Sequence, residues 1–286
     1  MNLVQLFNSM SVQSSDGESC RAAAAGNGGQ FDLFGETGTA KKCYSTMQAA
    51  DIAIISMLYP NAALYSGAGA DLSILPPNAR CLYELSVNAF DAVVHGWMSE
   101  LSITTEIVRF GRKILLAAGS AQNQMMQRQA AEQAATDRGD PDVQAVQATG
   151  RKVWHEIHRL MGLLRFSPDE SGLYVAECEP DHFVLPALGP HFCDRFGGTP
   201  WAIIDNKRRL CLLCREGKSP EFLGLDSEAA SLAANSNAAC GEWEGLWRLY
   251  HRTINNESRN NPGLQKNFMP KRYWKYLTEM NTDSTQ

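Results

Sequence analysis

The sequence predicts an α+β fold in which two hairpins form an antiparallel sheet flanked by helices, preceded by a flexible N-terminal tail. Three observations support this prediction. Apolar residues recur at helical spacing before residue 165 and after residue 240. Short apolar runs joined by polar turns lie between those stretches, as in hairpins. Residues 1–45 are rich in small and polar side chains, so we expect a flexible tail there and a single α+β domain over residues 46–286.

The first half of the domain is predicted to be helical. Residues 49–59 fit either a helix or a buried strand, because so short an apolar run has no deciding periodicity. Residues 82–101 and 104–118 predict two helices, and residues 119–140 predict an exposed helix rich in Gln and Ala. A further helix is expected to begin at Asp140, which suits an N-cap and is followed by proline.

That further helix has two faces of opposite character. One face is an apolar stripe at helical spacing, formed by Val153, Ile157, Leu160 and Leu164. The opposite arc carries Arg151, Lys152, His155, His158 and Arg159. Such an arc is either a solvated face or a face that contacts phosphates, and the helix alone does not decide between them.

The two hairpins come next in the chain. Residues 163–177 predict strand, turn and strand, with the turn at Ser167–Gly172. Residues 201–217 predict the second hairpin, which turns at Asp205–Arg208. A short helix closed by Gly197 is expected between them.

The C-terminal stretch interleaves aromatic and basic residues. A helix is predicted over residues 241–254, and Pro270 suits the start of a final helix. We expect Trp274 and Leu277 to pack in the core, while neighbouring cations face water or a phosphate. Those cations are Lys271, Arg272 and Lys275.

Charge and composition limit the classes of function that the chain can have. The net charge is −5, yet bases cluster in residues 151–165 and 255–276, so the acidic total does not exclude nucleic-acid binding. No apolar run is long enough to cross a bilayer and no secretory signal begins the chain, so we expect a cytoplasmic protein without membrane contact. The eight cysteines lack a framework spacing, which is typical of free thiols.

Two groups of residues are candidates for a zinc site, and neither is favoured. Cys211 and Cys214 lie on a predicted strand, where such spacing points the side chains to opposite faces. The other group has a spacing that is not a common zinc-finger pattern, and consists of Cys178, His182, His191 and Cys193. We therefore expect no metal and no cofactor.

Candidate catalytic residues are concentrated within fifteen positions. They are Asp181, His182, His191 and Asp194. These types supply general acids and bases or bind a divalent metal in phosphodiester chemistry. The alternative is a loop and short helix whose polar groups cap ends and pair with one another. Catalysis requires the four side chains to converge in one cleft.

The N-terminal tail contains a candidate protein-binding peptide, QFDLFG at residues 30–35. It resembles the short peptides by which bacterial DNA polymerases and repair proteins dock on the sliding clamp. Leu33 and Phe34 would enter an apolar pocket while Gln30 makes hydrogen bonds. The alternative is that these side chains pack back on the domain.

Three separated segments resemble one known family. They are DPDVQAVQATGRKVWHEIHRLMGLLRF (140–166), EPDHFVLPALGPHFCDRFGGTPWAIIDNKRRLCLL (179–213) and NNPGLQKNFMPKRYWKYLTE (260–279). They are similar to the bacterial DNA metabolism and repair proteins grouped as domain of unknown function 4130. Members are typically encoded beside a radical-SAM protein with a proposed role in DNA repair, and some are fused to a uracil-DNA glycosylase domain.

The resemblance implies a role in DNA repair or modification. The positions that match the family's motifs are His158, Arg159, Arg165, Asp181, His182, His191, Arg195, Arg259, Asn261, Gln265, Pro270, Arg272 and Trp274. The four cysteines of the zinc candidates do not belong to that pattern.

The leading hypothesis is a DNA-binding accessory protein that works with a separate catalytic partner, of the radical-SAM or uracil-DNA glycosylase type. Its expected contacts with DNA come from Arg159, Arg165, Arg195, Arg259, Gln265, Lys271, Arg272 and Tyr273, with Tyr273 or Phe268 stacking on a base. One alternative is an enzyme that acts on nucleic acid through the Asp/His residues between 181 and 195. The other is a protein-interaction module without DNA binding.

Overall fold

The computed structural model describes residues 1–11, 51, 54–55, 57–58, 75–169, 171–216, 220–225 and 241–280. The chain divides into two compact units. The first, the helical unit, comprises Met1–Ile54, Asp71–Trp97 and Leu101–Gly150. The second, the sheet unit, comprises Ile55–Ala70, Met98–Glu100 and Arg151–Gln286. The prediction of one domain over residues 46–286 stays a prediction.

The helices of the first half are mostly those that the sequence predicts. In chain order they are α1 (Leu3–Asn8), α2 (Pro77–Leu85), α3 (Val87–Met98), α4 (Thr104–Gly119), α5 (Gln124–Thr136) and α6 (Pro141–Leu163). Within the described residues, no helix combines the length and the apolar composition that crossing a membrane requires.

Helix α1 differs from the expected flexible tail. Asn2 and Gln5 form a capping box, in which each side chain accepts a hydrogen bond from the other residue's backbone N–H. Four apolar side chains at helical spacing are buried: Leu3, Leu6, Phe7 and Met10. Burial of that apolar face outweighs the low helical propensity of so short a segment. Residues 12–45 of the predicted tail lie outside the described residues.

A second difference is the break between α2 and α3, where the sequence predicts one helix over residues 82–101. Ser86 adopts an extended backbone conformation, with φ −155° and ψ 106°. Its hydroxyl accepts a hydrogen bond from the backbone N–H of Ala89 and donates one to Glu132. The serine side chain therefore caps the start of α3 and stops the helix from continuing.

The start of α6 is fixed as the sequence predicts. The Asp140 carboxylate accepts hydrogen bonds from the backbone N–H groups of Asp142 and Val143. Two cations of α4 pair with the same turn: Arg109 binds Asp142, and Lys113 binds both Asp140 and Asp142. These cations hold the pKa values of Asp140 and Asp142 below their ordinary range.

The sheet unit contains a five-stranded sheet in the order β1 to β5. Its strands are β1 (Ser167–Pro168), β2 (Tyr174–Cys178), β3 (Trp201–Asp205), β4 (Leu210–Cys214) and β5 (Glu221–Gly224). The expected α+β class is confirmed, and the second predicted hairpin forms as the antiparallel pair β3–β4. The first forms as β1–β2, but β1 lies inside the predicted turn, because α6 continues to Leu163 and takes up the start of the expected strand.

The expectation of a wholly antiparallel sheet is wrong. Strands β2 and β3 are parallel, with Tyr174 opposite Trp201 and Cys178 opposite Asp205. They are joined by helix α7 (Leu185–Phe196), which ends at Gly197 with a positive φ as predicted. The helical crossover returns the chain to the end of the sheet where β2 began, so β3 runs in the same direction as β2. The fifth strand pairs with β4 and was not predicted.

The core of the sheet unit lies on both faces of the central strands. Every residue of β3 and β4 is buried, which explains their continuous apolar sequence. One face carries a cluster of Leu173, Val175, Ala202, Ile204, Cys211, Leu213 and Leu225. Two aromatic side chains of α7, Phe192 and Phe196, lie against Trp201 on β3.

The C-terminal elements follow the sheet. They are α8 (Gly241–Ile254), a 3-10 helix at Glu257–Arg259, α9 (Pro262–Phe268) and a 3-10 helix at Lys271–Tyr276. Helix α8 was predicted, whereas α9 was not. Asn261 makes it possible, because its side chain accepts the backbone N–H of Leu264 and Pro262 occupies the first turn. The final helix begins after Pro270 as expected, but it is a 3-10 helix.

Candidate nucleic-acid interface

The outward face of α6 is a band of basic and aromatic side chains. Val153, Ile157 and Leu160 are buried, as the apolar stripe predicts. Arg151, Lys152, His155 and His158 are exposed and Arg159 is half-buried, on the opposite side of the helix. Within the described residues, no carboxylate forms an ion pair with any of these five side chains.

Glu156, the single acidic residue between 151 and 165, turns away from this face. It is only 2% exposed. Its carboxylate accepts hydrogen bonds from the backbone N–H groups of Asp181 and His182, each at 2.8 Å. It also accepts the Tyr273 hydroxyl at 2.5 Å and the Arg272 guanidinium at 3.2 Å. In the described part of the chain, the outward face of α6 therefore carries Arg151, Lys152 and Arg159 without an ion pair to a carboxylate.

An exposed aromatic side chain packs against two histidine rings within the basic face. Trp154 is 49% exposed. Its ring lies parallel to the His158 imidazole, with centroids 5.4 Å apart and 1° between the planes. The His155 ring meets it edge-on at 5.2 Å. His158 lies four residues after Trp154, one helical turn away, which places its ring beside the indole.

A hydrogen bond joins helix α9 to this face. The Arg159 guanidinium donates a hydrogen bond to the backbone carbonyl of Asn267 at 3.5 Å. The flanking residues Lys266 and Phe268 are exposed, Phe268 to 67%. We call the resulting region the α6–α9 surface, which consists of Arg151, Lys152, Trp154, His155, His158, Arg159, Lys266 and Phe268.

Two of the predicted DNA-binding residues are engaged elsewhere. Arg165 donates two hydrogen bonds to Glu279, which is 3% exposed, and lies 5.5 Å from the Trp247 ring. Arg272 binds Glu156, Asp181 and the Tyr273 hydroxyl. Their own carboxylate partners therefore compete with a phosphate for both guanidinium groups.

The expected stacking of a base on Tyr273 needs correction. Tyr273 is 2% exposed and its hydroxyl is bound to Glu156, so the ring has no face open to a ligand. Burial and the nearby carboxylate raise the pKa of Tyr273 above its ordinary value, which keeps the hydroxyl protonated as a donor.

The remaining predicted contacts are dispersed. Arg195 is exposed on α7 and Arg259 is exposed on the 3-10 helix that precedes α9. Lys271 is exposed, with its ammonium 5.9 Å from the Trp274 ring. The Gln265 amide contacts the sulfur of Met280. Of the predicted DNA contacts, Arg159 and Phe268 thus lie within the α6–α9 surface.

The candidate catalytic residues fall into two groups. Asp181 and His182 lie in the loop after β2, where Glu156 holds their backbones and Arg272 binds the Asp181 carboxylate at 2.9 Å. His191 and Asp194 lie on α7. Among the described residues, no hydrogen bond or ion pair joins the first group to the second, and no cluster of three or more His, Cys, Asp or Glu could hold a metal ion.

The two histidines are held in the neutral form by their surroundings. Burial lowers the pKa of His182 below its ordinary value, and burial together with Arg195 does the same for His191. The backbone N–H of Glu100 lies 3.4 Å from Nδ1 of His182, so this nitrogen is an acceptor. The arrangement stabilises the loop and leaves Nε2 of His182 as the protonated nitrogen.

A buried ion pair fixes the other side of this loop. Asp205, at the end of β3, is fully buried and binds Arg208, which is 5% exposed, at 2.7 Å. Arg208 also donates to the backbone carbonyls of Pro180 and Asp181. Burial raises the pKa of Asp205 above its ordinary value, although the guanidinium opposes this shift. The loop at residues 179–182 is therefore held between α6 and the β3–β4 turn.

The cysteines of the rejected zinc candidates are buried thiols. Cys178, Cys193, Cys211 and Cys214 are all buried and unbridged. Burial raises the pKa of Cys211 to about 12 and raises that of Cys178 as well. Such thiols are poor nucleophiles and pack as small apolar groups. The candidate clamp-binding residues Gln30, Leu33 and Phe34 lie outside the described residues.

The family model named domain of unknown function (DUF4130) matches residues 115–279. The chain belongs to this family. In this DUF4130 member, the matched range contains α6, the sheet, α9 and the terminal 3-10 helix, and thus every residue of the α6–α9 surface. No curated protein and no solved structure matches the chain.

Two residues that organise this region of the DUF4130 chain were not singled out from the sequence. Glu156 is three residues after Val153 and four before Leu160, which places it beside the buried stripe. That spacing is the signal that it points inward. Trp154 lies beside the basic arc, so helical geometry also indicates its exposure.

Proposed function

We propose that this protein binds DNA through the α6–α9 surface and serves as an accessory protein in bacterial DNA repair or modification. The observation that supports the proposal most directly is the inward turn of Glu156. Among the described residues, it leaves Arg151, Lys152 and Arg159 on one helix face without an ion pair to a carboxylate. Clustered cations that lack carboxylate partners are what a phosphate backbone requires.

The chemical step is assigned to a separate partner, of the radical-SAM or uracil-DNA glycosylase type that the family resemblance implies. In this proposal, the chain positions DNA and the partner modifies or removes a base. The loop at residues 179–182 supports the interface from behind, because Glu156 joins it to α6.

Neutralising the basic face is expected to weaken DNA binding and flatten its salt dependence. The variant is the triple substitution Arg151→Gln, Lys152→Gln and Arg159→Gln, tested by fluorescence anisotropy with labelled single-stranded, duplex and uracil-containing DNA across a salt series. On duplex DNA, each phosphate contact contributes a slope of about −0.9 in log K against log salt. We therefore expect the slope to fall in magnitude by about 2 to 3 and the affinity by at least about tenfold.

The matched control removes the same kind of charge from the helical unit. Arg128 and Arg138 are both exposed, so the double substitution Arg128→Gln and Arg138→Gln should leave affinity and slope within about twofold of the parent. Equal losses in the two variants would mean that only overall charge matters and would contradict a DNA site on α6. DNA binding that is undetectable at low salt would refute the proposed function and leave a protein-interaction module.

A second element of the proposal is attachment to the sliding clamp through Gln30, Leu33 and Phe34. The double substitution Leu33→Ala and Phe34→Ala should abolish retention of the chain on immobilised bacterial clamp, because both apolar anchors are lost. Phe31→Ala, which changes the aromatic neighbour within the same peptide, serves as the control and should retain binding. If the parent chain is not retained, or if the double variant is retained equally, the peptide is not a clamp ligand.

A further inference from the structure

Trp154 and Phe268 are large aromatic side chains left in water beside basic residues. Trp154 is 49% exposed and Phe268 is 67% exposed. Burying apolar surface of this size is favourable, so a rigid surface that leaves it exposed is suited to a ligand with flat apolar faces. Nucleic-acid bases have such faces, and every base can stack on an aromatic ring.

The geometry of Trp154 favours stacking over simple apolar contact. Its indole is already aligned with the His158 ring at an interplanar angle of 1°. A ring that is fixed before binding loses little conformational entropy when a base stacks on it. Along the helix, Arg151, His155 and Arg159 form a row at intervals of four beside the row of Trp154 and His158. Two arginines for the phosphates thus lie beside aromatic rings for the bases.

Duplex DNA cannot use both rows. Its bases are paired and stacked inside the helix, so their faces are closed to an external indole, whereas a single strand exposes phosphates and base faces together. We propose that the α6–α9 surface binds single-stranded DNA, with bases stacked on Trp154 and Phe268 and phosphates on Arg151, Lys152, Arg159 and Lys266. This inference rests on the proposed function and specifies the form of DNA that the surface recognises.

The test compares a labelled single strand of about 20 nucleotides with the duplex of the same sequence at the same salt, using the full chain. The parent is expected to bind the single strand at least about tenfold more tightly. Trp154→Ala should weaken single-strand binding by about five- to 100-fold and leave duplex binding within about twofold. Phe268→Ala should act in the same direction, and Trp154→Phe should retain part of the affinity.

Tyr250→Ala is the matched control, because Tyr250 is a 55% exposed aromatic residue on α8 outside the surface. It should leave both affinities unchanged, and circular dichroism establishes that each variant is folded. Equal affinity of the parent for the two forms, or equal losses for both in Trp154→Ala, would overturn the single-strand inference. Binding that depends on Arg151, Lys152 and Arg159 but not on Trp154 would do the same and keep the proposed function. Undetectable binding of either form would refute both.

Discussion

Glu156→Ala is expected to lower the free energy of unfolding by about 3 kcal/mol, through the loss of a buried acceptor. The substitution leaves the backbone N–H groups of Asp181 and His182 and the Tyr273 hydroxyl without their partner. Buried donors deprived of an acceptor incur their full desolvation cost. The Arg272 contact adds little, because that guanidinium is 41% exposed.

Urea-induced unfolding, followed by circular dichroism, measures this effect. Glu84→Ala is the control, since Glu84 is about half exposed and makes one contact with Arg80, one turn away on α2. Its effect should stay within about 0.5 kcal/mol. Glu156→Gln should be intermediate, because one amide oxygen replaces one carboxylate oxygen while the amide N–H₂ faces a backbone donor. A loss in Glu156→Ala no larger than in Glu84→Ala would mean that the carboxylate does not hold these donors.

Arg208→Met is expected to cost about 3 to 5 kcal/mol, because it leaves a buried carboxylate without its cation. Arg208 is 5% exposed and Asp205 is fully buried. The substitution also removes the donors that hold the carbonyls of Pro180 and Asp181. Burial raises the pKa of Asp205 and the Arg208 guanidinium opposes this shift. Loss of the guanidinium therefore raises the pKa of Asp205 further.

A pH series and a double-mutant cycle test the cause. A group with a raised folded-state pKa binds a proton more readily when folded, so the penalty in Arg208→Met should shrink as the pH falls toward that pKa. The double variant Asp205→Asn and Arg208→Met should recover part of the loss, since no buried charge remains. Strictly additive losses and a penalty independent of pH would show that the ion pair is not the source of the effect.

The hairpin of β3 and β4 could be predicted from the sequence because its signals are local. The apolar runs and the polar turn at residues 206–209 lie within fourteen consecutive positions. The parallel pairing of β2 with β3 could not, because it depends on where α7 returns the chain. Local patterns specify strands, and the packing of the connecting helix specifies their order.

The α6–α9 surface was predictable in part for the same reason. Helical periodicity placed the basic arc of α6 correctly, opposite Val153, Ile157 and Leu160. It did not predict that Arg165 and Arg272 bind carboxylates distant in the chain, Glu279 and Glu156, at sequence separations of 114 and 116. Tyr273 was predicted to contact DNA because an aromatic residue next to lysines and arginines gives the same sequence pattern whether its ring is buried or exposed. Non-local partners decided each case.

The partners of Glu156 also constrain how the sheet unit folds. Its contacts with Asp181 and Tyr273 span 25 and 117 residues, so the acceptor and its donors must be brought together by closing a very long loop. During synthesis, the ribosome adds more than a hundred residues after Glu156 before it adds Tyr273. We therefore expect native order in the sheet unit to form late and cooperatively, since contacts at such separation form slowly.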